Sequence, residues 1–309
     1  MKILVTGGAG FIGSHTVDRL IQEGHQVVVV DNLSTGKRRH VNRSAVFYKL
    51  DIQSSRLDQV FRKERPSLVM HLAAQMNVRR SVEDPVYDAQ VNILGTLNLL
   101  EQAVRYGARK VVFASSGGAV YGEQGLFPAP ESHETRPLSP YGISKLSGEH
   151  YLIYYQNVSG LQYVALRYSN VYGPRQDPDG EAGVVAIFSQ KMLTGEQPLI
   201  YGNGKQTRDF VFVEDVVEAN VAVMGQEVQG TYNVGTAQET SVNELFQILA
   251  ELTGCRWKGI HGPAKKGEQA RSVIDFSKLR QEVGWEPKVS LQDGLKRTVE
   301  HFRDESARK

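Results

Sequence analysis

The chain has 309 residues, 40% of them hydrophobic and 23% charged, a composition that supports one large core plus a smaller lobe. A net charge of +2 provides no broad basic field, which argues against a nucleic-acid partner, and the basic run Lys37-Arg38-Arg39-His40 reads as a solvated loop. The single cysteine, Cys255, excludes an intramolecular disulfide framework; with no leader-like segment after Met1 and no run of about 18 apolar residues, a cytoplasmic protein without a membrane partner is expected.

Short apolar runs at 3–6, 27–30, 46–50, 68–72, 111–114 and 163–166 read as strands, with helical patterns at 12–23, 54–65, 85–106 and 140–156 between them. Because these strands are continuously apolar, both faces are buried, which predicts a parallel sheet covered by helices. The fold class is therefore α/β, a doubly wound (Rossmann) sheet that binds ligands at the carboxyl ends of its strands. From about Tyr172 the rhythm changes. A loop rich in Pro, Asp and Gly (173–183) precedes a helix at 184–193, strands at 199–201 and 210–213, and helices at 242–252 and 291–302. The division predicted is residues 1–171 for the cofactor domain, receiving segments near 211–235 and 272–276, and residues 172–309 for a mixed α/β substrate lobe.

Gly7-Gly8-Ala9-Gly10-Phe11-Ile12-Gly13 lies between the first strand and the first helix, where its glycines suit a tight turn, close approach of a pyrophosphate, and helix–sheet packing. Asp31 ends the second strand about 20 residues further on, where a carboxylate accepts from a ribose hydroxyl and repels a 2′-phosphate. NAD is thus favoured, with Lys37 and Arg38 leaving NADP open. Asp51-Ile52 closes the third strand and suits an adenine edge, and Leu72-Ala73-Ala74 supplies small residues at the end of the fourth.

Tyr141 and Lys145 stand one helical turn apart, after Ser139 as N-cap and Pro140 at the first helical position. The same spacing at Tyr106/Lys110 and Tyr201/Lys205 is broken by Gly107 and set in a turn by Gly202 and Gly204, so both read as decoys. Beside a nicotinamide, a phenolate favoured by a lysine ammonium takes a proton from a secondary alcohol as hydride leaves. Lowering a phenol by about 3 units takes roughly 4 kcal/mol. The eight histidines lack paired-ligand spacing, and 177–181 lacks the remainder of a calcium loop, so no metal is expected.

The ordered series Thr6 to His15, Asp31-Asn32-Leu33, His71-Leu72-Ala73-Ala74, Asn92-x-x-Gly95-Thr96, Val120-Tyr121-Gly122, Ser139-Pro140-Tyr141-Gly142-x-Ser144-Lys145, Leu166 to Pro174 and Arg208-Asp209-Phe210-Val211 resembles the extended short-chain dehydrogenases/reductases. Within them it is most similar to the UDP-galactose (UDP-glucose) 4-epimerases. The resemblance implies an NAD-dependent isomerase that oxidises C4 of a nucleotide sugar and returns the hydride to the other face of a 4-keto intermediate, in galactose metabolism. It implies pyrophosphate contacts from Phe11 and Ile12, and adenosine contacts from Asp31, Asn32, Leu33, Ser34, Gly36, Asp51 and Ile52. It implies further cofactor contacts from Leu72, Ala73, Ala74, Asn92, Ser115 and Tyr141, with Lys145, Tyr168 and Ser169 at the nicotinamide end. For the substrate it implies Asn170 and Arg208 at the phosphates, whose charge suits a guanidinium fork. Gln75, Gly117, Gly118, Val184, Tyr201, Lys265, Glu268 and Ser272 complete that set, and a homodimer through helices 85–106 and 140–156 is implied.

The chain departs from the pattern at the family's Ser/Thr four residues before Tyr121, which is Gly117 here; Ser116, Ser115 or a water can replace that hydroxyl, and Ser116 is the expected catalytic partner. Met76 stands where a lysine is common, and Lys265 where an arginine binds phosphate. Ser272, where some relatives carry a bulky aromatic, suggests room for N-acetylhexosamine forms. Gly118-Ala119 lacks the acid/base pair that a 4,6-dehydratase carries there, which argues against dehydration. UDP-glucuronate 4-epimerisation stays open, and a non-catalytic NAD-sensing protein is the alternative from another class.

Overall fold

The computed structural model describes residues 1–179, 183–225, 227–264 and 269–307. Its first half alternates β1 (Lys2–Thr6), α1 (Phe11–Gln22), β2 (Gln26–Asp31), β3 (Val46–Lys49), α2 (Leu57–Glu64), β4 (Leu68–His71), α3 (Val78–Glu83), α4 (Pro85–Ala89), α5 (Gly95–Arg105), β5 (Lys110–Ser116), α6 (Gly117–Val120), α7 (Pro140–Ser159) and β6 (Gln162–Tyr168). The second half runs β7 (Asn170–Tyr172), α8 (Val184–Leu193), β8 (Leu199–Tyr201), β9 (Thr207–Arg208), β10 (Phe210–Phe212), α9 (Val213–Ala222), β11 (Gly230–Val234), β12 (Thr240–Ser241), α10 (Val242–Thr253), β13 (Ile260–Gly262), β14 (Arg271–Ser272), α11 (Ser277–Val283) and α12 (Leu291–Ala307).

Seven parallel strands in the order β11-β6-β5-β4-β1-β2-β3 form one sheet. Successive side chains leave a strand on opposite faces, so Ile3, Val5, Val27 and Val29 enter one core while Leu4, Val28 and Val30 enter the other. The connections diverge on either side of β1, which opens a crevice at the carboxyl ends of the strands. In the smaller lobe α8, α10 and α12 pack around Val185, Phe188, Leu245, Leu249 and Leu295. Short pairs place β9 between β12 and β14, and β10 beside β7.

The helix expected at 85–106 is interrupted. A π turn at Gln90–Leu94 separates α4 from α5, and neither Gly nor Pro marks it before Gly95. One wider turn lets Asn92 and Asp88 face inward while Leu99, Leu100 and Ala103 still meet the sheet. No helix among the described residues is long and apolar enough to cross a membrane.

Candidate active site

The cofactor end is shaped by backbone. Gly7 takes φ 69°, and a Cβ there would lie 2.7 Å from the Ala73 nitrogen; one on Gly13 would lie 2.1 Å from the Gly7 carbonyl. Gly10, as N-cap of α1, has no side chain to cover the first-turn N–H groups of Phe11, Ile12 and Gly13, which face the crevice without intrahelical acceptors. Asp31 is buried, and its two oxygens accept from Ala9 N at 2.9 Å and Leu33 N at 2.8 Å, with Leu33 at φ 61°. A Cβ on Gly36 would press on the same carboxylate at 2.9 Å. Asn32 donates to Asp51 at 2.7 Å and receives the Ser34 N–H at 2.9 Å, tying together the ends of β2 and β3; Ile52 is buried against Gly95. Lys37 pairs with Asp177 at 3.2 Å and the Arg38 guanidinium stacks 4.5 Å over Phe47, so the two cations that left a 2′-phosphate open are engaged elsewhere.

The Ala73 N–H donates to Thr6 Oγ1 at 3.2 Å, and the buried His71 ring bridges Thr6 Oγ1 (2.8 Å) and Thr96 Oγ1 (2.9 Å). Desolvation, then the Lys145 charge, pushes His71 down to about 3, so it is neutral. Sequence reasoning assigns no role to this relay behind Leu72-Ala73-Ala74, although Thr6, His71 and Thr96 all stand within its motifs.

Ser139 Oγ accepts from Gly142 N at 3.1 Å, and Pro140 opens α7, so Tyr141 occupies its first turn. Part of the Tyr141 ring reaches solvent while its hydroxyl lies deep, pushed up to about 12 by desolvation despite a hydrogen bond donated by Ser116. Strand alternation would aim Ser116 away from the tyrosine, but β5 ends there and α6 begins at Gly117, which turns the hydroxyl toward the phenol. A Cβ on Gly117 would lie 2.9 Å from Ile274 Cδ1, so the position of the missing hydroxyl is crowded here. Lys145 Nζ donates to the Ala114 carbonyl at 2.9 Å and lies 5.8 Å from the Tyr141 ring centroid; burial lowers it to about 8. Burial thus outweighs the neighbouring groups, and the chain alone holds a protonated phenol. Bringing a phenol from about 12 to 7 takes roughly 7 kcal/mol, far more than an ordinary pair supplies.

Ser115 turns to the other side, where its hydroxyl donates to Glu149 at 2.5 Å beside the buried Arg167–Glu149 pair (Nη2–Oε2 2.6 Å). Tyr168 donates its phenol to Asn220 at 2.8 Å within the sheet core, whereas the buried Ser169 Oγ has no partner among the described residues. Asn92 holds Gln75 through a reciprocal pair, accepting Gln75 N at 2.8 Å and donating to its carbonyl at 2.9 Å. The decoys fall apart as expected from their glycines. Tyr106 closes α5 on Asp58, Lys110 opens β5, and Tyr201 and Lys205 flank a turn.

At the ends of β7 and β9, Asn170 N donates to the Asp209 carbonyl and Ser272 pairs in register with Arg208, bringing Asn170, Arg208 and Ser272 to one edge. Asp209 anchors that edge, accepting from Thr236 N and Oγ1 at 2.9 and 2.7 Å. A Cβ on Gly118 would lie 3.5 Å from Ser272 Oγ, which places the two small residues side by side. Arg208 is half-buried, and Nη1 donates to the Thr207 carbonyl at 2.8 Å. Val184 opens α8 against the lobe core, and Tyr201 is exposed on β8. Lys265 and Glu268 lie outside the described residues, and Met76 is 56% exposed.

A sequence profile for the NAD dependent epimerase/dehydratase family matches residues 3–235. The chain is 49% identical over 302 residues, 98% of each partner, to a protein of Methanocaldococcus jannaschii named putative UDP-glucose 4-epimerase. The solved UDP-glucose 4-epimerase of Thermotoga maritima with UDP-glucose superposes with a TM-score of 0.98 at 51% identity, covering 99% of this chain and 100% of that one. That of Thermus thermophilus, in complex with NAD, gives 0.93 at 47% identity, covering 98% and 99%.

Proposed function

We propose, from the premise that this chain belongs to the NAD dependent epimerase/dehydratase family, that it is an NAD-dependent enzyme interconverting UDP-glucose and UDP-galactose at C4. The observation that carries the reading is the Ser116–Tyr141–Lys145 cluster, set between the carboxyl end of β5 and the start of α7. The bare first turn of α1, the Gly7/Gly13 cradle and the orphaned Ser169 hydroxyl fit a dinucleotide. Phe11, Ile12 and Gly13 would hold its pyrophosphate, Asp31, Asn32 and the loop to Gly36 its adenosine, and Lys145 and Ser169 its nicotinamide end. When bound, NAD supplies a positively charged ring that accepts and returns the C4 hydride.

Tyr141, ionised in that field, takes the C4 hydroxyl proton and later gives it back, with Ser116 donating to the same oxygen and holding it in line. Lys145, fixed by the Ala114 carbonyl, keeps its charge behind the phenol. Asn170 and Arg208 bind the diphosphate, so the sugar ring is free to rotate while the nucleotide stays anchored. The test is proton NMR of purified protein with UDP-galactose. The C4 signal should convert to that of UDP-glucose, and a panel with no inversion of either sugar would remove the proposal.

The apposed Gly118 and Ser272 support a second substrate, an N-acetylhexosamine nucleotide, because a Cβ on Gly118 would meet only the small Ser272 hydroxyl, at 3.5 Å. Comparable turnover of UDP-N-acetylglucosamine supports this, and its absence ends it. The exposed Ile143, Tyr154 and Val158 lie on one stripe of α7, which packs against α4 and the π turn that carry the exposed Val86 and Leu94, and they support a homodimer through that face. Light scattering that reads a monomer would overturn the dimer.

A further inference from the structure

We propose that Asp88 is a positioning residue for the Tyr141–Lys145 pair, fixing the Gln75–Asn92 amides that join α4 to α7 and balancing the Lys145 charge across that contact. The inference rests on the proposed role of Tyr141. Asp88 is 1% exposed on α4, two residues before the π turn begins at Gln90. Its Oδ1 accepts from Gln75 Nε2 at 2.9 Å and Asn92 Nδ2 at 3.1 Å, while its buried Oδ2 has no hydrogen-bond partner. Asn92 Nδ2 also lies 3.2 Å from the Ser144 hydroxyl, which donates to the Tyr141 carbonyl at 2.9 Å. The carboxylate is therefore tied through two side chains to the turn that carries both reactive groups.

Its partners are neutral amides, and a buried carboxylate without a cation is unfavourable unless a charge stands nearby. The charged groups around it decide which one does. Glu149, one turn beyond Lys145, is taken by Arg167 in a two-pronged pair with Nε–Oε1 at 3.0 Å and Nη2–Oε2 at 2.6 Å. His71 is neutral. Arg79 and Arg80 on the neighbouring α3 are exposed, Arg80 over the Tyr87 ring, so of the buried cations on α3, α4 and α7 Lys145 remains, and Asp88 heads the groups that hold its ammonium against desolvation, ahead of Glu149. The same carboxylate also opposes ionisation of Tyr141, after desolvation and against the Ser116 hydrogen bond. It sustains the ammonium at the expense of the phenolate, and so restrains the pair until a second positive charge arrives.

Asp88→Asn keeps an oxygen for the two amides and removes the charge, so both the phenol and the ammonium should lose their protons at lower pH. In the NAD-loaded protein the tyrosinate ultraviolet band, defined by difference against Y141F, should titrate roughly one pH unit lower in D88N. Both limbs of the kcat–pH profile should move the same way, with KM for UDP-galactose unchanged. An unmoved midpoint overturns the proposal, and so does lost turnover with an unmoved midpoint, since that is a packing role alone. Should D88N not fold, D88S reads the same midpoint. Undiminished turnover in Y141F would instead sink the proposed function, which the Asp88 midpoint does not address.

Discussion

The two ends of the crevice are made of different material. Around the β1–α1 turn the shape comes from main chain: glycine turns, unclaimed N–H groups, and a carboxylate held by two backbone amides. Around β5 and α7 it comes from buried polar side chains held by one another: Ser116 on Tyr141, Asn92 on Asp88, Glu149 on Arg167. The first end supplies a fixed mould. The second holds the groups whose proton affinity is most displaced by burial, Tyr141 and Lys145 among them. Backbone moulds fail sterically and all at once, whereas side-chain networks fail by degrees and with a pH signature.

The comparison can be broken most sharply at Tyr141. Tyr141→Phe should lower kcat by about 10³-fold, roughly 4 kcal/mol, with unchanged thermal stability; NMR turnover beside a melting curve reads both. Gly13→Ala should do the reverse kind of damage. Its methyl meets the Gly7 carbonyl, so denaturant unfolding should show a loss of about 3 kcal/mol and NAD binding should vanish. His71 lies between the two ends and sharpens the contrast. Its proton affinity is depressed in the native state, so as pH falls below 6.5 the unfolded chain takes up the proton first and stability falls. From pH 6.5 to 5 the fall should approach about 2 kcal/mol, and a His71→Asn variant should lack that component. Ser116→Ala is the mildest change. Losing one donated hydrogen bond should lower kcat about tenfold and move the acid limb of the rate profile upward, the direction opposite to D88N.

Much of the main-chain end is legible in the sequence, because glycine spacing and a strand-ending aspartate are local statements about backbone. Six of the sheet's seven strands are legible for the same reason, to within two residues at their ends, whereas β11 and α9 are covered only by the segment expected to return near 211–235. The side-chain end is legible only in its first members. Tyr141 and Lys145 announce themselves through a cap, a proline and a helical spacing. Ser116 needs the knowledge that β5 stops where it does, which alternation alone argues against. Asp88 carries no local signal at all: an acidic residue in an amphipathic helix reads as solvent-facing, and its burial depends on the π turn and on α7, some fifty residues away. The relay through His71 is likewise written in separate motifs that only the sheet brings together.

The π turn at Gln90–Leu94 also sets a length rule for this stretch of chain. A residue removed from it would restore regular winding and swing everything downstream by about 100°. Either Asn92 and Asp88 would then leave the crevice, or Leu99 and Leu100 would leave the sheet. Single-residue deletions between 90 and 94 should accordingly be far less tolerated than substitutions at the exposed Leu94, which makes indel scanning a direct gauge of how tightly winding is coupled to turnover.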